Sequence, residues 1–168
     1  MTDDAAPQEL IVKIADLRVA REPAIISTHG LGSCLAIVLY DAEARAGGLA
    51  HIMLPSPELA KDQSQFAKFP RTAVPVMLEQ MAALGCLRHR ITAKIAGGAN
   101  MFASLLRSRN QGTNIGARNV AETKAVLDAL KIPLVREDTG GDYGRSVELI
   151  LSSGTVLVHS FKAGKREL

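Results

Sequence analysis

Two apolar runs separated by a turn-forming stretch constrain this chain more than any other feature. Cys34-Leu-Ala-Ile-Val-Leu-Tyr40 is almost continuously apolar and stops at Asp41. Leu49-Ala-His-Ile-Met-Leu54 follows and is stopped by Pro55 and Pro57. Short unbroken runs bounded by turn residues and proline read as strands buried on both faces, so the core is a hairpin or meander covered above and below. A cysteine opens the first strand and a histidine, His51, lies on the second.

The flanking segments fit around that hairpin. Leu10 to Ala15 alternates weakly as a strand, and Ala24-Ile-Ile-Ser-Thr28 is short and β-branched before the tight Gly30-Leu-Gly32 loop. Ala73, Val76, Met77, Met81 and Leu84 recur at helical spacing over 71–84, with Gly85 placed as a C-terminal cap. Ile91 to Ile95 reads as a strand. Asn114 is placed to cap a second helix running to about Leu130, ended by Ile132-Pro133. Leu134–Glu137, Val147–Leu151 and Val156–His159 complete a strand-rich end. The expected class is α+β, with mixed or antiparallel sheets and helices on the outside. No linker or repeat divides 1–168, which reads as one domain with 1–8 and 163–168 frayed.

Composition removes several function classes. The 168 residues contain two cysteines, Cys34 and Cys86, too few for an extracellular disulfide framework, which points to free thiols in a reducing, cytoplasmic compartment. No apolar run spans a bilayer and no basic leader opens the chain, so membrane insertion and secretion are not expected. Twenty basic against 17 acidic side chains give +3, with six aromatic residues and no Trp, which is not the profile of a nucleic-acid reader. The Gly30-Leu-Gly32 pair lacks a third glycine and no phosphate-loop motif appears, so no cofactor is expected.

The chemistry-bearing residues are Thr28, Cys34 and His51. Cys34 follows a Gly-x-Gly-Ser turn, where the backbone amides around Gly32 and Ser33 are free to face a bound group. A thiolate is a strong nucleophile but a free thiol is mostly protonated near neutral pH, so an adjacent imidazole is needed to take its proton and return it to a leaving group. Neighbouring strands lie about 4.8 Å apart, which lets the start of one face a residue on the other. The Thr28 hydroxyl can accept from the remaining ring nitrogen. The alternatives are plain packing for a cysteine and a histidine in apolar strands, and His29 as a competing base, although its neighbour Thr28 makes it point the opposite way. Cys86-x-x-His89 has no second pair at metal-ligand spacing, so no metal site is expected. His159 has no partner visible in sequence.

Five ordered blocks, Thr28-His-Gly-Leu-Gly-Ser-Cys34, Gly47-Gly-Leu-Ala-His-Ile-Met-Leu-Pro55, Gly97-Gly-Ala-Asn-Met-Phe102, Ile115-Gly-Ala-Arg-Asn119 and Glu137-Asp-Thr-Gly-Gly-Asp-Tyr-Gly-Arg145, resemble the chemoreceptor glutamine deamidase CheD family of bacterial chemotaxis. The resemblance implies Cys34 as nucleophile, His51 as base and Thr28 as third member, with hydrolysis of receptor glutamines to glutamate through a thioester and release of ammonia. It implies an α/β/β/α layering similar to the catalytic domain of cytotoxic necrotizing factor toxins. It also implies two partners, the cytoplasmic domain of a methyl-accepting chemotaxis receptor and a CheC-type phosphatase. Asn100, Phe102 and Tyr143 are candidate groove residues, and Arg107, Arg109 and Arg118 candidate docking cations. His29 stands where the family has an apolar residue. A non-catalytic adaptor, or a thiol hydrolase or transamidase of other specificity, are the competing readings.

Overall fold

A computed structural model describes residues 5–102 and 114–168. Ten strands form two five-stranded mixed sheets. Along the chain they are β1 (Gln8–Val12), β2 (Leu17–Arg21), β3 (Ala24–Leu31), β4 (Leu35–Asp41), β5 (Ala46–Ile52), β6 (Ile91–Gly97), β7 (Leu134–Thr139), β8 (Arg145–Ile150), β9 (Thr155–Ser160) and β10 (Gly164–Glu167). One sheet has the order β1-β3-β8-β9-β10, the other β2-β5-β4-β6-β7. Among the described residues only β1/β3 and β6/β7 pair in parallel. Two helices, α1 (Pro70–Ala83) and α2 (Ile115–Ala129), join β5 to β6 and β6 to β7. None of the described helices is long and apolar enough to cross a membrane.

The unbroken apolar run of β4 has a direct cause. Leu35, Ile37 and Leu39 face the helices, in a core with Met77 and Met81 of α1 and Leu127 of α2. Ala36 and Val38 face the other sheet, meeting Ile26, Val147, Leu149 and Val158. A strand covered on both faces cannot alternate in polarity. The second helical layer implied by the resemblance is absent among the described residues, because α1 and α2 both pack on the sheet that contains β4. The outer face of the first sheet instead mixes partly exposed polar side chains, Ser27, Ser146, Glu148 and His159, with the apolar Ile25, Ile150 and Leu157, and no described helix packs over it.

Two further expectations are corrected. The first strand ends at Val12 rather than Ala15, which turns with φ of 58°. The C-terminal segment does not fray, since Gly164–Glu167 pairs antiparallel with β9 in the register Gly164 opposite Ser160. Likewise β1 already begins at Gln8. Asn114 caps α2 as its sequence position implies, its side chain accepting from the Ala117 amide at 3.0 Å.

The approach of α2 to the loop after β6 depends on glycine. A Cβ on Gly116 would lie 2.6 Å from the Gly98 carbonyl oxygen, far inside contact distance. Gly97 has φ of +116°, and a Cβ there would lie 2.5 Å from the Cys34 carbonyl oxygen. Helix, loop and the start of β4 therefore close on one another through bare backbone. Gly116→Ala is expected to cost about 1–3 kcal/mol through overpacking, read as a lower midpoint in urea unfolding; an unchanged midpoint would contradict the tight approach.

Candidate active site

The site forms where the two sheets open at one end. His51 lies opposite Ala36 in the β4/β5 ladder, and Leu35 lies opposite Ile52. Cys34, two residues before Ala36, is therefore diagonal to His51 on the same face, the one turned toward the other sheet. Thr28 approaches from that other sheet, on the same side of β3 as Ala24 and Ile26. Just beyond it, β3 is irregular between Thr28 and Leu31. The bulge brings the chain through Gly30 to the Cys34 loop.

Thr28 and His51 are both fully buried. The threonine hydroxyl donates to the Val12 carbonyl at 2.7 Å and lies 2.7 Å from His51 Nδ1. A hydroxyl has one hydrogen, so with that hydrogen committed to Val12 its oxygen must accept, and Nδ1 must carry the proton. Nε2 is left with its lone pair, buried, and without a hydrogen-bond partner among the described residues. Burial pushes the imidazole pKa down from 6.5 to about 4, because desolvation disfavours the imidazolium.

Cys34 is free and half-buried. Burial pushes its thiol up, while its own backbone amide acts in the opposite direction. Burial thus opposes the charged form of each group, thiolate and imidazolium alike. The carbonyls of the preceding loop are tied down in sequence. Gly32 accepts from the Ala99 amide at 2.8 Å and Cys34 from the Gly98 amide at 2.9 Å. Ser33 accepts from Asn119 Nδ2 at 2.8 Å. The amides of Ser33 and Cys34 donate to no backbone carbonyl among the described residues.

The structure therefore joins Thr28 to His51 by a hydrogen bond and places Cys34 diagonal to His51 in the β4/β5 register, with no hydrogen bond between the thiol and Nε2 and with Gly32 and Ser33 in the adjoining loop. Asn100 and Tyr143 sit in neighbouring loops, the Asn100 amide donating to the Gly141 carbonyl at 2.9 Å. The Tyr143 ring lies under Arg145 at 4.3 Å. Phe102 is 62% exposed. A cavity of about 560 Å³ lies beside Tyr143, Phe161 and Lys162 and does not include Cys34. His29 points away, its Nδ1 lying 3.2 Å from Ser146 Oγ on the outer face. His159 pairs there with Glu148 at 3.1 Å. Arg118 is exposed on α2, whereas Arg107 and Arg109 lie outside the described residues. Cys86 is buried beside the helical core. Asn119, fully buried under the Cys34 loop, was named in the sequence only as the end of a family block and not as a site residue. Its signal was a polar side chain on the inward stripe of an amphipathic helix.

An arrangement of this kind, on a two-sheet α+β frame, can support acyl transfer through a thiol. Within that class the chain belongs to the CheD family. The family profile, described as CheD chemotactic sensory transduction, matches residues 53–160. The chain is 45% identical over 158 residues to the "Probable chemoreceptor glutamine deamidase CheD 2" of Geobacter metallireducens, covering 94% of this chain and 96% of that one. It is 40% identical over 158 residues to the "Chemoreceptor glutamine deamidase CheD" of Bacillus subtilis, covering 94% of each. Among solved structures, a Neisseria meningitidis protein of family DUF152 superposes with a TM-score of 0.50 at 12% identity, over 82% of this chain and 65% of that one, a likeness of fold alone.

The lowered imidazole pKa has a measurable consequence for stability. Below pH 6.5 the unfolded chain takes up a proton on His51 that the folded chain refuses until about pH 4. Stability should therefore fall across that window and level off beneath it, the His51 share amounting to roughly 3 kcal/mol. Urea unfolding of the native protein and of His51→Gln between pH 7 and 4 should differ by that slope; parallel curves would contradict a buried neutral imidazole.

Proposed function

We propose that this protein is a protein-glutamine deamidase that acts on chemoreceptors, with Cys34 as nucleophile, His51 as general base and acid, and Thr28 as the group that orients His51. The observation that carries the reading is the hydroxyl relay. Thr28 donates to Val12 and accepts from His51 Nδ1, both at 2.7 Å, which leaves the Nε2 lone pair without a hydrogen-bond partner among the described residues. Membership of a family whose curated relatives are named chemoreceptor glutamine deamidases supplies the substrate class.

The reaction runs in two halves. The Cys34 thiol gives its proton to His51 Nε2 as sulfur bonds to the glutamine side-chain carbonyl carbon, and the carbonyl π pair moves onto oxygen. The amides of Ser33 and Cys34 stabilise that oxygen. The carbon–nitrogen bond then breaks, the nitrogen takes the proton from His51, and ammonia leaves a γ-glutamyl thioester. Water attacks the thioester while His51 takes its proton, and the carbon–sulfur bond breaks to release glutamate and restore the thiol. No step calls on a metal or organic cofactor. The product carries a new negative charge on the receptor and a carboxylate that can be methylated.

The substrate segment is the cytoplasmic helical part of a methyl-accepting receptor, and the protein works in the cytoplasm, where a free thiol stays reduced. A CheC-type phosphatase is the second partner that the family resemblance supports. A protein substrate fits the open setting of Cys34, whose loop is flanked by Met101 and Phe102 at 45% and 62% exposure.

Incubation with a receptor cytoplasmic fragment should release ammonia and convert specific glutamines to glutamate, each read by mass spectrometry as a gain of one mass unit. Cys34→Ala should abolish both signals. Thr28→Val, which keeps the side-chain shape but removes the hydroxyl, should lower kcat by roughly 10²–10⁴-fold, the usual worth of general-base catalysis. Deamidation by Cys34→Ala at the native rate would overturn the nucleophile assignment, and native-rate turnover by Thr28→Val would overturn the role of the hydroxyl.

A further inference from the structure

We infer that Asn119 is a positioning residue that aims the Cys34 amide at the oxyanion; the inference rests on the thiol mechanism proposed above. Asn119 lies one turn into α2 and is fully buried. Its Nδ2 donates to the Ser33 carbonyl at 2.8 Å and to the Met53 carbonyl at 3.2 Å. Both neighbours can only accept, so the amide nitrogen, not the oxygen, must face them.

The consequence follows from the peptide unit itself. The Ser33 carbonyl and the Cys34 N–H belong to one planar trans group and point in opposite directions. A donor that pulls the carbonyl inward toward α2 therefore turns the Cys34 N–H outward, to the side from which a substrate reaches the sulfur. The preceding unit is set the same way, because Ala99 holds the Gly32 carbonyl and so turns the Ser33 N–H outward. Two adjacent outward amides form the concavity that binds an anionic oxygen. Of the two carbonyl anchors behind them, one is backbone and the other is the side chain of Asn119.

The second bond extends the role. Met53 is two residues past His51, at the end of β5, so a single side chain holds the nucleophile loop against the strand that carries the base. Asn119 Oδ1 accepts from no group among the described residues. The donor half of the amide is what this position uses. Gly116, by letting α2 approach the loop after β6, sets the distance at which that donor reaches Ser33.

An oxyanion site and a nucleophile can be separated experimentally. Alkylation of Cys34 by iodoacetamide is a displacement at saturated carbon that creates no oxyanion, whereas thiol addition to a peptide aldehyde does load that position. In the aldehyde reaction a sulfur–carbon bond forms, the carbonyl π pair moves to oxygen, and the thiol proton ends on that oxygen. Asn119→Asp keeps the shape but replaces the donor with an acceptor, and Asn119→Ala removes the donor without adding charge. For each variant that retains a cooperative thermal transition, the expected result is a split. Affinity for a peptide aldehyde replacing the substrate glutamine falls, and kcat for the receptor fragment falls by roughly 10²–10³-fold, as for loss of an oxyanion donor, while KM and the iodoacetamide rate stay near native. Native kcat and aldehyde affinity in the variants would overturn the inference, as would alkylation falling in step with turnover, which would mean that Asn119 holds the sulfur and not the amide. If the native protein releases no ammonia from the receptor fragment, the substrate reading fails, and the comparison of aldehyde with alkylation still decides the role of Asn119.

Discussion

The hydroxyl of Thr28 links the two sheets at their open end, and the chemistry of the site depends on that link. Its donor is spent on the Val12 carbonyl of the neighbouring strand and its acceptor on His51 of the facing sheet, each at 2.7 Å. A hydroxyl satisfied on both sides within a buried space has little freedom to rotate, so it fixes the imidazole tautomer as well as its direction. A serine or threonine in this place differs from the carboxylate of better-known triads in carrying no charge. It orients the ring without favouring the imidazolium, which fits a histidine whose pKa is pushed down to about 4.

The consequence is a site that rests uncharged. Burial pushes the Cys34 thiol up and the His51 imidazole down, so it disfavours thiolate and imidazolium alike. Such a thiol is protected from indiscriminate oxidation and alkylation, since the thiolate is the reactive species. In the proposed mechanism, catalysis rests on groups that act when charge develops, namely the Nε2 lone pair and the amides of the Ser33–Cys34 loop. The glycine contacts at Gly97 and Gly116 belong to the same account, because they allow the loop after β6 and the start of α2 to hold that loop from behind.

Much of this was legible in the sequence where a signal was local. The runs 34–40 and 49–54 identified β4 and β5 because burial on both faces leaves few polar positions to blur the pattern, whereas hairpin geometry made a Cys34–His51 approach plausible without fixing it, and the family motifs supplied the pairing. Asn114, Gly85 and the helical spacing over 71–84 located the helices closely, α1 beginning at Pro70. The edge strands were less legible: β2 offers only Leu17 and Val19 to the core between the arginines Arg18 and Arg21, and β10 is Gly-Lys-Arg-Glu with every residue exposed, so the apolar signal was short or missing. The family resemblance carried a second helical layer that is absent among the described residues, where α1 and α2 pack on one sheet. Asn119 was invisible as a contact because its partners, Ser33 and Met53, are 86 and 66 residues away in the chain and are carbonyls, which any residue type supplies.

The central claim is that Thr28 holds His51 neutral, protonated on Nδ1, with Nε2 free beside the Cys34 thiol. Nitrogen-15 NMR of the histidine ring in the native protein at neutral pH tests it most directly, because protonated and bare ring nitrogens resonate in separate regions. The account predicts a protonated Nδ1 and a bare Nε2 for His51, persisting as the pH is lowered well below the ordinary histidine range, with that fixed pattern lost in Thr28→Val. An imidazolium at neutral pH, or a proton on Nε2 with Nδ1 bare, would contradict it.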